Sequence, residues 1–176
     1  YALAPWNEYE HYSPSYWDGD QNDMARLIME AREAIDECGT QTILLWPDMV
    51  NWDSDADDKP YSNWMELGEA RDPKGKRCVE HVTGAGYHVY WQPGQVDQWA
   101  YRMRRVNASM QALGMKGKKW CTEWALIPDT AQSSAADSTL AIVRFMMTAA
   151  AFDNETSQPF GLDRDNMWGG TVMAEH

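Results

Sequence analysis

The sequence predicts an α/β fold made of repeating strand–helix units. Apolar segments of strand length alternate along the chain with segments in which apolar residues recur at helical spacing. No low-complexity linker interrupts the 176 residues, which are enough for one domain with a buried core. Strand–helix units repeated at this spacing are typical of a parallel sheet with helical crossovers.

The helices are predicted from apolar periodicity and from the residues that end them. Met24, Ile28 and Ile35 recur on one side of residues 22–38, and Gly39 supplies a stop signal. By the same criteria, helices are expected at 22–38, 64–70, 76–82, 95–113 and 136–152.

The strands are predicted from short apolar runs that are rich in β-forming residues. The continuous run "QTILLWPDM" suits a strand that is covered on both faces, and "YHVYWQ" has high β-propensity. Strands are expected at 1–8, 41–49, 87–92 and 118–126, with a last one in "QPFGL" or "MWGGTVMA".

Two parallel architectures agree with this order of elements: an open, doubly wound sheet and a (β/α)8 barrel. An open nucleotide-binding sheet requires a glycine-rich turn after its first strand. The turn found here, "NEYEHYSPSYWDG", has no such fingerprint. The sequence therefore favours part of a TIM (β/α)8 barrel.

Charge and aromatic content narrow the choice of partner. The net charge of −12 disfavours nucleic acid and anionic membranes, and no apolar run approaches the ~18 residues of a membrane span. The 10 Trp and 8 Tyr against 3 Phe indicate either core packing or a wet groove in which sugar rings stack on aromatic faces. We expect an oligo- or polysaccharide partner, no nucleic acid and no membrane, and the oligomeric state stays open.

Two of the predicted strands end in a glutamate, "APWNE" at Glu8 and "WCTE" at Glu123. Taken alone, a charged residue at the end of a strand usually marks the exit to solvent. In a barrel, however, the carboxyl ends of the strands converge on the active site. Two carboxylates there suit glycosidic bond hydrolysis, in which one protonates the leaving oxygen and the other attacks the anomeric carbon or activates water.

Four short motifs carry a resemblance to a known family: "WNE" at 6–8, "YHVYW" at 87–91, "CTEW" at 121–124 and "NMWGG" at 166–170. In their order along the chain, they resemble the C-terminal part of a clan A glycoside hydrolase, the retaining barrel enzymes that include cellulases, mannanases, β-xylosidases and β-galactosidases. The resemblance covers the whole chain. It implies strands four to eight of one catalytic barrel, with the first three βα units missing.

The resemblance implies cleavage of β-linked glycosidic bonds by double displacement. Glu8 would be the general acid/base, Glu123 the nucleophile, and Asn7 a hydrogen-bonding partner of the sugar 2-hydroxyl, with a turn or cap role as the alternative for Asn7. We expect no cofactor and no metal, a secreted or extracytoplasmic location, and no activity from these residues when isolated.

Four more residues are expected to bind substrate. His88 would contact the sugar, and Tyr90 would donate its hydroxyl to Glu123. Trp168 and Trp46, at the ends of strands eight and five, would serve as stacking platforms. Core packing is the alternative for all four.

Strand alternation places Cys121 with Glu123 inside the barrel and turns Thr122 toward the helices. The segment "DSDADD" at 53–58 resembles a calcium loop but lacks its glycine and its distal glutamate, so a solvated acidic loop is favoured. Two other functions stay open: a non-catalytic carbohydrate-binding relative and a metal-dependent barrel hydrolase.

Overall fold

A computed structural model of the chain describes residues 1–8, 17–50, 59–91, 96–126 and 135–159. The helices in these ranges are α1 (Gln21–Glu37), α2 (Ser62–Glu69), α3 (Val96–Leu113) and α4 (Ala135–Ala151), with a 3₁₀ turn at Cys78–Glu80. The strands are β1 (Ala2–Leu3), β2 (Ile43–Leu44), β3 (Met49–Val50), β4 (Ala85–Trp91), β5 (Lys119–Leu126) and β6 (Asn154–Pro159). The helix expected at 76–82 is thus only the short 3₁₀ turn.

The strands form two parallel sheets, one of β1 and β2 and the other of β3, β4, β5 and β6 in that order. Strands that are adjacent in a sheet are also consecutive among the strands of the chain. Helices α2, α3 and α4 lie in the three connections of the larger sheet. The predicted α/β class with parallel strands is confirmed. Within the described ranges, both sheets are small and neither closes on itself.

The single strand expected at 41–49 is divided into β2 and β3. Pro47 lies between them and has no backbone N–H to donate to a neighbouring strand. The chain passes from one sheet to the other at this point, because β2 pairs with β1 whereas β3 pairs with β4. Isolated bridges, Leu45 with Gly84 and Asn7 with Asp48, connect the two sheets around the break.

The core lies between the sheets and the helices α1, α2 and α3. Its largest side chains are aromatic, and Trp46 packs against Trp64 with ring centroids 5.7 Å apart. Burying a large apolar side chain contributes about 2 kcal/mol. Helix α1 adds Met24 and Ile28 from one face, both fully buried, in agreement with its predicted periodicity.

Helix α1 begins with a reciprocal capping arrangement. The Asp20 side chain accepts hydrogen bonds from the backbone N–H groups of Asn22 and Asp23, and the Asp23 side chain accepts one from the Asp20 N–H. These bonds pair N–H groups that the helix itself leaves unpaired. They fix where the helix starts after the segment that leaves β1.

Helix α4 is apolar on two sides. Phe145 is buried and stacks on Trp124 of β5 at a centroid distance of 4.3 Å. Beside the exposed Arg144, the helix leaves four large apolar side chains exposed: Leu140, Val143, Met146 and Met147. Among the helices described, none is both long and apolar enough to cross a membrane.

Candidate active site

Glu8 lies in the segment that follows β1 and is held there by its backbone. Its N–H donates to the carbonyl oxygen of Asp48 at 2.7 Å, next to the bridge between Asn7 and Asp48. Its φ of +49° is left-handed, a conformation that is unfavourable by roughly 1–2 kcal/mol for a residue with a Cβ. The side chain is buried. Strain of this kind persists where the surrounding contacts determine the conformation, as the contact with Asp48 does here.

His88 on β4 is the centre of the polar cluster. Its Nδ1 lies 2.7 Å from Oε1 of Glu8, and its Nε2 lies 3.8 Å from both Oδ2 of Asp48 and Oε2 of Glu123. Burial alone would lower the pKa of His88, but Asp48, Glu8 and Glu123 outweigh this effect and raise that pKa to about 9. The buried ring is therefore an imidazolium at neutral pH.

Glu123 reaches the cluster because the pairing register between β4 and β5 shifts by one residue. Tyr87 pairs with Cys121 and His88 pairs with Glu123, so Thr122 is the extra residue of a β-bulge. Burial raises the pKa of the Glu123 carboxyl; the positive charge of His88 opposes this shift, and the carboxylates of Glu8 and Asp48 add to it. Glu123 is partly buried, so solvent still reaches it.

The structure brings Glu8 and Glu123 together, although β1 ends at Leu3 and β5 continues beyond Glu123 to Leu126. One carboxylate oxygen of Glu8, one of Glu123 and one ring nitrogen of His88 all lie within 4.8 Å of one another. These donor types at this spacing can also hold a divalent cation. With His88 protonated, the same groups form an ion-pair cluster, because both ring nitrogens face carboxylates.

The other residues predicted for the site are distributed differently. Asn7 is exposed beside Glu8, and Tyr90 is buried next to His88, with its ring edge-on at a centroid distance of 6.3 Å. Trp168 and the acidic segment 53–58 lie outside the described residues.

The prediction for Trp46 as a stacking platform is corrected by the structure. Its side chain is fully buried and packs against Trp64, and its Nε1 lies 3.2 Å from the sulfur of Met49. A ring without an exposed face cannot stack on a sugar. Trp46 is a core residue, and Asp48, not Trp46, faces the polar cluster at the break between β2 and β3.

Two residues of the cluster were not predicted from the sequence. Asp48 is buried beside His88, and the hydroxyl of Thr122 donates to Oδ1 of Asp48 at 2.6 Å. Thr122 thus points into the site and not toward the helices, because the bulge breaks strict alternation. The signal for Asp48 was present: it follows an apolar run, as Glu8 and Glu123 do.

Cys121 is fully buried one residue before the bulge. Burial raises the pKa of its thiol well above the ordinary value, so the sulfur stays protonated. The residue fills space and does not supply a nucleophile.

A second feature is an aromatic cavity of about 530 Å³ between Trp6 and the start of α1. Trp6 and Trp17 form part of its wall, in edge-to-face contact with centroids 4.8 Å apart. The rest of the lining consists of Asp18, Gly19 and the α1 residues Asp23, Arg26, Leu27 and Glu30. The cavity combines flat apolar surfaces with hydrogen-bonding groups.

A scan against protein-family models and a search of curated proteins each found no match. A solved structure does match: a curdlan-specific exo-β-1,3-glucanase of glycoside hydrolase family 128 (subgroup III) from Blastomyces gilchristii, in complex with glucose. The TM-score is 0.53 at 17% sequence identity. The fold resembles that of a glycoside hydrolase. The match covers 88% of this chain and 59% of the glucanase, so the chain spans less than two thirds of that protein.

Proposed function

We propose that the chain forms part of the catalytic barrel of a retaining glycoside hydrolase that cleaves β-linked saccharides. The observation that carries the proposal is the approach of Glu8 and Glu123, with carboxylate oxygens within 4.8 Å. Retaining glycosidases place their two carboxyl groups about 5–5.5 Å apart, whereas inverting enzymes leave about 6.5–9.5 Å for a water molecule. The spacing found here supports a double displacement.

In this proposal Glu8 protonates the leaving oxygen while Glu123 attacks the anomeric carbon. Glu8, as its conjugate base, then takes a proton from the water that hydrolyses the glycosyl–enzyme bond. The exposed Asn7 stands beside Glu8, where its amide can bond a sugar hydroxyl.

The His88 imidazolium supplies a positive charge to a cluster of three carboxylates. A nucleophile must be ionised, and the raised pKa of Glu123 opposes this in the free protein. His88 counters that effect, since its charge lowers the pKa of Glu123. The assignment of roles follows the order of motifs along the chain, and the reverse assignment is an outcome of the experiment below.

The sheet order also supports a barrel. Parallel strands that follow each other both in sequence and in the sheet are the arrangement of a (β/α)8 barrel, and an open doubly wound sheet would show a switch point instead. The similarity to the β-1,3-glucanase fold makes β-glucans the first substrates to test.

The test is turnover of aryl β-glycosides and β-glucans by the full-length protein. We expect Glu123→Gln to lose about 10³-fold or more in kcat on every substrate, because no covalent intermediate can form. Glu8→Gln should lose as much on glucans but should keep nearly the wild-type kcat/KM on dinitrophenyl glycosides, whose leaving group needs no proton. Its kcat on these glycosides should still fall, because hydrolysis of the glycosyl–enzyme bond needs Glu8 as the base. Glu155→Gln, at an exposed glutamate of β6, is the matched control.

The outcomes separate the alternatives. If Glu123→Gln, not Glu8→Gln, spares the dinitrophenyl glycoside, the two roles are reversed. Saccharide binding without turnover would identify a non-catalytic carbohydrate-binding relative, which the aromatic cavity at Trp6 and Trp17 would suit. Activity that a chelator abolishes and zinc restores would show metal-dependent hydrolysis and overturn the proposal.

A further inference from the structure

We propose that Asp48 is a positioning residue of the carboxylate pair and that it acts through His88, Thr122 and the backbone of Glu8. This inference rests on the proposed function, because the reaction that Asp48 would assist is the proposed glycoside hydrolysis. Asp48 lies at the break between β2 and β3, where it is in contact with the end of β1 and with β4 and β5. It is the point at which the strands that carry the site meet.

The backbone of Asp48 fixes residues 6–8, the segment that follows β1. Its carbonyl oxygen accepts the hydrogen bond from the Glu8 N–H at 2.7 Å, and its own N–H donates to the carbonyl oxygen of Trp6 at 3.2 Å. These two bonds enclose Asn7 and hold Glu8 in the left-handed conformation that directs its carboxylate to His88. Pro47 lies immediately before Asp48, in the break between β2 and β3.

The side chain of Asp48 uses its two oxygens for two different partners. Oδ1 accepts the hydrogen bond from Thr122 at 2.6 Å, and Oδ2 lies 3.8 Å from Nε2 of His88. Thr122 is the bulge residue that immediately precedes Glu123, so its bond to Asp48 stabilises the bulge that turns Glu123 into the site. One carboxylate thus locates both the imidazolium and the proposed nucleophile.

Gly86 provides independent support, because the neighbouring strand leaves room for Asp48. A Cβ at position 86 would lie 2.2 Å from Oδ1 of Asp48 and 2.8 Å from the carbonyl oxygen of Trp46. Both distances are too short for any side chain. The glycine on β4 is therefore explained by the close approach of both the Trp46 carbonyl and the Asp48 carboxylate, not by an unusual backbone angle.

The charged groups that face His88 come from three elements: Glu8 after β1, Asp48 before β3 and Glu123 on β5, with the Tyr90 ring edge-on from β4 itself. Asp48 and Glu123 share the Nε2 side of the ring. Without the charge of Asp48, the ring loses one of the two anions on that side and the bulge loses its anchor. Small displacements of this kind lower rates strongly when reacting groups must be aligned.

The test compares Asp48→Asn with Asp72→Asn in the full-length protein. Asp72 is a matched control because it is also buried and lies 2.7 Å from a histidine, His81, outside the cluster. We expect Asp48→Asn to lower kcat by about 10–100-fold with little change in KM, and to move the alkaline limb of the pH profile to lower pH. Asp72→Asn should leave kcat and the pH profile unchanged even if it lowers the melting temperature.

A second variant, at Thr122, leaves the charge of the Asp48 carboxylate in place. Thr122→Val removes the hydroxyl donor and should lower kcat several-fold, whereas Thr122→Ser should restore it. Thr122→Val therefore keeps the inference testable if Asp48→Asn fails to fold. Unchanged kcat and pH profile in both Asp48→Asn and Thr122→Val would overturn it.

A readout without turnover separates this inference from the proposed function. The ¹⁵N shifts of the His88 ring, followed by NMR against pH, should titrate at lower pH in Asp48→Asn than in wild type and at the wild-type pH in Asp72→Asn. If no saccharide is cleaved but this pattern appears, the positioning role stands and the glycosidase fails. If the His88 titration is the same in all three proteins, Asp48 does not hold His88 and the inference is wrong.

Discussion

His88 is the side chain on which the polar groups of the site converge. It is buried, yet three carboxylates from different elements lie within 3.8 Å of its ring nitrogens. Two effects oppose each other at such a residue: burial disfavours the charged form, and neighbouring anions favour it. The anions prevail, since the pKa of His88 is raised to about 9.

This shift predicts how stability depends on pH. The folded-state pKa of about 9 exceeds the ordinary value of 6.5, so the stabilisation is fully present below about pH 6.5 and is lost as pH rises through 9. It amounts to on the order of 3 kcal/mol. Denaturant unfolding at a series of pH values measures it.

His88→Gln should remove most of this pH dependence, because the variant has no group to titrate. His81→Gln, which changes the other buried histidine with an aspartate partner, should keep it. A free energy of unfolding that stays constant in wild type between pH 6.5 and 9 would contradict the charged state of His88.

At the scale of elements, the sequence predicted most helices closely and the strands less so. The boundaries of α1, α3 and α4 differ from the predicted ones by at most one residue at either end, because periodicity and stop signals are local properties. The division of strand 41–49 was missed, although Pro47 is its physical cause. The bulge at Thr122 was missed because it depends on pairing between β4 and β5, which one strand alone does not reveal.

The start of helix α1 gives a prediction at this scale. Asp20→Ala should lower the free energy of unfolding by about 1 kcal/mol, because two backbone N–H groups lose their acceptor. For a chain of this length, this corresponds to a fall of about 2–4 °C in melting temperature. Calorimetry measures it.

Asp18→Ala is the matched control, since Asp18 is exposed and lies two residues before the cap. It should leave the melting temperature unchanged. Equal effects of the two substitutions would indicate that general charge, not capping, determines the stability of this segment.

At the scale of the whole molecule, the parallel arrangement of the strands brings together residues that are far apart in the chain. Glu8 and Glu123 were predicted to converge because the carboxyl ends of parallel strands share an edge, and the two side chains do approach each other, although Glu8 follows β1 of the smaller sheet and Glu123 lies on β5 of the larger one. The burial of Trp46 and the participation of Asp48 were not predicted, since both depend on the break between β2 and β3. Sequence patterns indicate which residues end a strand but not the residue at which a break occurs.

The apolar outer side of α4 has a chemical consequence for the methionines. Met146 and Met147 are 59% and 68% exposed, whereas Met24 and Met49 are 0% exposed. A thioether that reaches solvent is converted to its sulfoxide much sooner than one in a packed core. Brief peroxide treatment followed by peptide mass spectrometry should therefore label α4 first. Slow labelling of that pair in the full-length protein would mean that another surface covers this helix in solution, so these two sulfurs serve as a built-in probe of whatever adjoins α4.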